Sequence, residues 1–142
     1  MKSRTLTIQI ARGAEAVYEF VSDLRNLPLW ATAFCRSIQP SGGAWTAETP
    51  QGPVTIRIAP RNEFGVLDHS VIAAGGAEVV VPMRVVAAGD GAEVLFTLLQ
   101  GPGMPDEQFA KDAKLVEQDL STLKRVLERA GGHETRSRPP TA

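Results

Sequence analysis

The stretch Pro105-Asp-Glu-Gln-Phe-Ala-Lys-Asp-Ala-Lys-Leu-Val-Glu-Gln-Asp-Leu-Ser-Thr-Leu-Lys-Arg-Val-Leu-Glu-Arg-Ala130 decides the architecture. Phe109, Ala113, Val116, Leu120, Leu123 and Leu127 recur at alternating steps of four and three, which sets them on one stripe of an α-helix. Pro105 suits the first helical position, and Asp106 and Glu107 put negative charge at the end where the helix dipole favours it. Lys124, Arg125 and Arg129 put positive charge at the other end, and Gly131-Gly132 signals a stop. At 1.5 Å per residue such a helix is roughly 39 Å long. Its apolar stripe needs an extended surface to lie on.

A chain of 142 residues is the size of one ordinary domain. It is 43% hydrophobic and 22% charged, which suits a globular fold and is too apolar for a disordered one. Lys plus Arg number 15 against 16 for Asp plus Glu, so bulk charge argues against nucleic acid or an anionic membrane as partner. The N-terminal residues have no uninterrupted apolar core of the signal-peptide kind, and no run approaches the ~18 apolar residues of a membrane span. Cys35 is the single cysteine, so no intrachain disulfide can form. These features lead us to expect a cytoplasmic single domain over residues 1–130, with a polar, disordered tail over 131–142.

Outward from the helix, the chain reads as strands. Leu6, Ile8 and Ile10 alternate with Thr5, Thr7 and Gln9, which predicts a strand over Arg4–Ile10 with one buried face. Arg12-Gly13 breaks it, and Val17, Phe20, Val21 and Leu24 predict a short helix over Ala14–Asp23. Asn26 is a candidate N-cap for a second short helix running through Trp30 towards Phe34. From Cys35 onward, turn clusters recur about every ten residues, the pattern of an antiparallel meander. The clusters are Ser41-Gly-Gly43, Pro50-Gln-Gly52, Pro60 to Gly65, Gly75-Gly76 and Gly89-Asp-Gly91. Between them the predicted strands are Cys35–Gln39, Ala44–Thr49, Val54–Ala59, Val66–Ala73, Glu78–Ala88 and Ala92–Gln100. Glu78–Ala88 stands apart because its valines leave both faces apolar. Either the outer face is covered, for instance by a second copy, or a bulge near Pro82 flips the register. One strand, two short helices, an antiparallel run and a long helix make an α+β layout of about seven strands with the helices on one side.

This order of elements resembles the helix-grip fold of the SRPBCC superfamily, which takes in START lipid-transfer domains, birch-pollen-allergen-type proteins and polyketide cyclases. Three stretches resemble its bacterial polyketide cyclase/dehydrase-like branch. They are Val17-Tyr-Glu-Phe-Val-Ser-Asp-Leu-Arg-Asn-Leu-Pro-Leu-Trp30, Phe64-Gly-Val-Leu-Asp-His69, and Asp112 to Glu128 with its Asp119-Leu120 and Leu123-Lys124. The resemblance implies a curved sheet gripping the C-terminal helix, with a hydrophobic cavity between them for a lipid, steroid, polyketide or similar molecule. It implies no catalytic motif and no cofactor.

Trp30, Phe34, Trp45, His69, Met83, Phe96, Phe109 and Val116 are the candidate ligand-binding residues, and filling the core is the alternative role for each. Neighbours on a strand point to opposite faces, so Asp68 and His69 cannot form a relay pair. His69 belongs to the apolar set with Leu67 and Val71. It is the candidate polar anchor of the pocket and the candidate general acid or base of a cyclase, aromatase or dehydratase. That enzymatic reading needs a second titratable group, for which Tyr18 and Asp112 are the candidates. Arg57 alternates with Ile56 and Ile58 and so belongs on the wet face, near Glu48, Asp68 and Arg84. Two histidines and one cysteine give no metal-ligand spacing. Gly101-Pro-Gly103 lacks the Gly-Lys-Ser/Thr ending of a phosphate loop. A partner-binding module or homodimer using the outer face of Val79–Val86 is a further alternative.

Overall fold

The computed structural model describes residues 1–137, with side chains as far as Gly131. Its elements in order are β1 (Ser3–Ile10), α1 (Ala14–Ser22), a 3-10 turn (Leu24–Asn26), α2 (Leu27–Trp30), β2 (Ser37–Ser41), β3 (Ala44–Thr49), β4 (Gly52–Ile58), β5 (His69–Ala73), β6 (Glu78–Val81), β7 (Met83–Ala88), β8 (Gly91–Leu99) and α3 (Asp106–Ser137). The antiparallel ladders run β1-β8-β7 and β2-β3-β4-β5-β6. The expected α+β layout is what the chain adopts.

Local differences from the sequence reading have physical causes. The second helix is one turn long, and Asn26 does not cap it: its side-chain amide donates to the Phe20 carbonyl at 2.9 Å. The side-chain cap sits one turn earlier, where Asp23 accepts the Arg25 amide at 3.1 Å at the start of the 3-10 turn. The α3 helix runs on to Ser137, past Gly131-Gly132. A glycine costs a helix interior only about 1 kcal/mol, and Gly131 has a packing reason to be there. A Cβ on it would lie 2.3 Å from Cδ of Arg12. The part of the expected tail beyond Ser137 lies outside the described residues.

The strand expected over Glu78–Ala88 is divided at Pro82, giving eight strands rather than about seven. Proline has no N–H to give a ladder. On one side of it β6 pairs with β5, and on the other β7 pairs with β8. Asp68 repairs the gap: its Oδ1 accepts the Met83 amide at 2.8 Å, and its Oδ2 meets Arg84 Nη2 at 2.8 Å. The register does not flip. Val81, Met83 and Val85 all point inward and are buried, while Val80 and Val86 stay on the outside, 48% and 44% exposed. Ahead of β5 the chain reaches β7 through an isolated bridge between Val66 and Arg84.

The expected stripe of α3 faces the core. Ala113, Leu120, Leu123 and Leu127 are buried, and Phe109 and Val116 are half-buried. The helix travels alongside β1 and is tied to it over its length. Lys2 pairs with Asp106 (3.2 Å), Arg4 with Glu117 (3.0 Å), the Gln9 carbonyl accepts from Lys124 (3.0 Å), and the Ala11 amide donates to Glu128 (2.8 Å). Lys124 and the Ala11 amide together hold the Glu128 carboxyl below the usual carboxylate range. The match is geometric: nine strand steps from residue 2 to 11 cover about 30 Å, and 22 helix steps from 106 to 128 cover about 33 Å.

Candidate functional site: the concave face of the sheet

Strand register assigns each side chain to a face. Trp45 lies opposite Ile56, Ile56 opposite Val71, and Val71 opposite Val79; Ile58 lies opposite His69, and His69 opposite Val81. Ile56 and Val81 are buried, which marks these rows as the inner, concave side. Yet Trp45, Val54, Ile58, His69 and Val71 on the same side are only half-buried, and Val79 is 41% exposed. The five-stranded sheet, distinct from the three-stranded β1-β8-β7 sheet, therefore presents a partly uncovered apolar surface towards the interior. Arg57 is exposed on the opposite face, as the alternation requires.

The candidate ligand-binding residues fall into two groups. Phe34, Trp45, His69, Phe96, Phe109 and Val116 are half-buried. Trp30 and Met83 are closed into the core at 5% and 1% exposure. The Trp30 indole Nε1 is a buried donor with no hydrogen-bond partner among the described residues, which is an uncommon and costly arrangement. The His69 ring stands edge-on to Phe96, centroids 6.2 Å apart, and its Nδ1 lies 3.0 Å from the Leu67 carbonyl oxygen. Burial pushes the His69 pKa below the ordinary imidazole value. Lining positions Val54, Ile58, Val71 and Val79 were not singled out from sequence as site residues, although the alternation Val54-Ile56-Ile58 was the signal for two of them.

The sequence candidates for a second titratable group lie elsewhere. The Tyr18 hydroxyl accepts the Asn62 amide at 2.9 Å, and Asp112 accepts from Gln108 on its own helix at 2.7 Å. The structure also shows two hollows away from the concave face. One, about 660 Å³, is a polar groove between Thr32 and Lys114, Gln118, Ser121 and Arg125 on the outer side of α3. The other, about 220 Å³, lies beside Gln9, Ala88, Gly91 and Lys124. Among the described residues no helix is long and apolar enough to cross a membrane, and no cluster of His, Cys, Asp and Glu could hold a metal.

A group that sequence reading passed over is Asp119, 7% exposed, whose Oδ1 accepts the Ala33 amide at 2.9 Å and so ties the chain after α2 to α3. Desolvation raises its pKa to about 6, against the hydrogen bond from Ala33 that lowers it. Because the folded value lies above the unfolded 3.8, the ionised form penalises the fold above pH 6. The penalty is relieved as pH falls through that value. Asp119→Asn keeps the acceptor and removes the charge. It is expected to stabilise by about 2 kcal/mol at pH 8, and the gain should shrink towards zero near pH 4. Urea melts at the two pH values check this, and an equal difference at both would refute it.

No protein-family model matches the chain. No curated protein matches it. Solved structures do. XoxI from Bacillus cereus is 15% identical with a TM-score of 0.72, over 89% of this chain and 95% of its own. Ara h 8.0201 is 18% identical with a TM-score of 0.64, over 88% and 96%. StfQ, the di-domain ARO/CYC of the steffimycin biosynthetic pathway, is 16% identical with a TM-score of 0.69, over 93% of this chain and 46% of StfQ. At such identities the likeness shows the fold alone: antiparallel sheet with short helices after the first strand and a long C-terminal helix, the helix-grip arrangement expected from the sequence.

Proposed function

We propose that this protein holds a small, largely apolar molecule, of lipid, polyketide or aromatic type, between the concave face of the sheet and α3. The observation that carries the reading is the half-uncovered row of Trp45, Val54, Ile58, Val71 and Val79 on the inner side of β3 to β6. A folded domain normally closes such a face, and an unclosed inner face is where a ligand regains hydrophobic free energy. Covering roughly 300 Å² of apolar surface at ~25 cal/mol per Å² gives ~7 kcal/mol before the costs of association. Binding is favoured over a cyclase or dehydratase reaction because Tyr18 and Asp112 have other partners, which leaves His69 without the second group acid–base chemistry needs.

The test uses N-phenyl-1-naphthylamine, a neutral dye that brightens in apolar surroundings. A saturable 1:1 titration is expected. Val79→Asp, on the inner rim, should weaken it at least tenfold, whereas Val86→Asp, on the outer face, should leave it unchanged. Absence of saturable binding, or equal effects of the two variants, would overturn the proposal.

A further inference from the structure

The inner face carries a polar group with an assignable hydrogen-bonding sense. His69 is set by β5 between Ile58 and Val81, with Phe96 against its ring. A carbonyl oxygen can only accept, so the 3.0 Å contact with Leu67 puts the proton on Nδ1 and the lone pair on Nε2. Burial disfavours the charged ring, so the imidazole is neutral at pH 7. The nearest carboxylate, Asp68, is turned away and occupied by Arg84 and the Met83 amide.

The same face lacks charge. The inward rows of the five-stranded sheet read Trp45, Ile56, Val71, Val79; Ala47, Val54, Ala73; and Ile58, His69, Val81. Arg57 and Arg84 belong to the outer face, and Arg4 is paired with Glu117. A carboxylate entering here would lose its hydration and find no cation to replace it. A neutral hydroxyl would lose less and find an acceptor.

We propose that His69 Nε2 is the acceptor by which the cleft selects apolar molecules bearing a neutral hydroxyl donor, a phenol, enol or alcohol, over their ethers and over carboxylic acids. This inference rests on the binding reading above and deepens it. It also reverses the common expectation for a pocket histidine, which is to attract an anion.

Three probes of one shape separate the outcomes: 2-naphthol, 2-methoxynaphthalene and 2-naphthoate, titrated at pH 7.5. The naphthol is expected to bind about tenfold tighter than the ether, the yield of one well-made hydrogen bond, and the naphthoate weakest. His69→Phe should abolish the naphthol's advantage over the ether, whatever it does to the affinity the two share. Nitrogen-15 spectra of the unaltered protein add a readout independent of any variant, and the chain has only two histidines. Bound naphthol should shift the unprotonated Nε2 resonance of His69 while Nδ1 keeps its proton, and bound ether should not. Equal affinity for naphthol and ether, tightest binding of naphthoate, or an Nε2 resonance indifferent to bound naphthol would each overturn the inference while sparing the binding reading. Failure of all three probes to bind would overturn both.

Discussion

Gly65→Ala is expected to destabilise the protein by about 2–5 kcal/mol, the sum of an unfavourable backbone conformation and an overpacked contact. Gly65 has φ 71°, where a side chain is strained, and an added Cβ would lie 2.1 Å from the Val85 carbonyl oxygen. The obstacle is backbone, which cannot swing aside. Gly65 O also accepts the Val85 amide at 3.0 Å, so relieving the clash breaks the link that holds the β4–β5 loop to β7. The rest of that loop is firmly built and offers no slack. Asn62 Oδ1 accepts the amides of Phe64 and Val66, its Nδ2 donates to the carbonyls of Pro60 and Val66, and its own amide donates to Tyr18. A urea midpoint within error of the parent would refute the prediction.

Leu123→Ala is the second large effect. Leu123 is wholly buried at the centre of the α3 stripe, among the core residues that join the helix to the sheet. Truncating it removes apolar contact and leaves a hole that its neighbours fill only in part, at about 2–5 kcal/mol. Leu115, on the same helix and 37% exposed, is the internal comparison; its alanine variant should change stability by about 0.5 kcal/mol or less. Equal losses at the two positions would mean that α3 does not pack as described.

Legibility in the sequence tracks the range of the interactions. The α3 stripe could be read because helical periodicity is a local property, and the same holds for the outward facing of Arg57 between Ile56 and Ile58. The division at Pro82 was half-legible. The residue announces a lost donor, but only the register of two ladders shows that the alternation continues through it. Asp119 was illegible as a buried group, since a carboxylate on a helix flank ordinarily meets water, and its partner Ala33 is 86 positions away. Gly131 looked like a helix stop because the stem of Arg12, which crosses it, is visible only in three dimensions. A cavity behind the sheet was only what resemblance to a fold implies, and the openness of the inner face was not read at all. The half-burial of Val71 and the exposure of Val79 depend on what packs over them from elsewhere in the chain, and no pattern in either strand encodes that.

The alignment of α3 with β1 also bears on how the chain is made. β1 leaves the ribosome well before its ladder partner β8, which begins only at Gly91, and its helical cover, which begins at Asp106. Until both have emerged, Leu6, Ile8 and Ile10 have nothing to pair with or pack against. Folding of this unit is therefore deferred until α3 has been made, and it requires the closure of long loops, which slows the search for the native state. During that interval β1 is an exposed apolar strand, the kind of segment that chaperones shield and that aggregates when they do not.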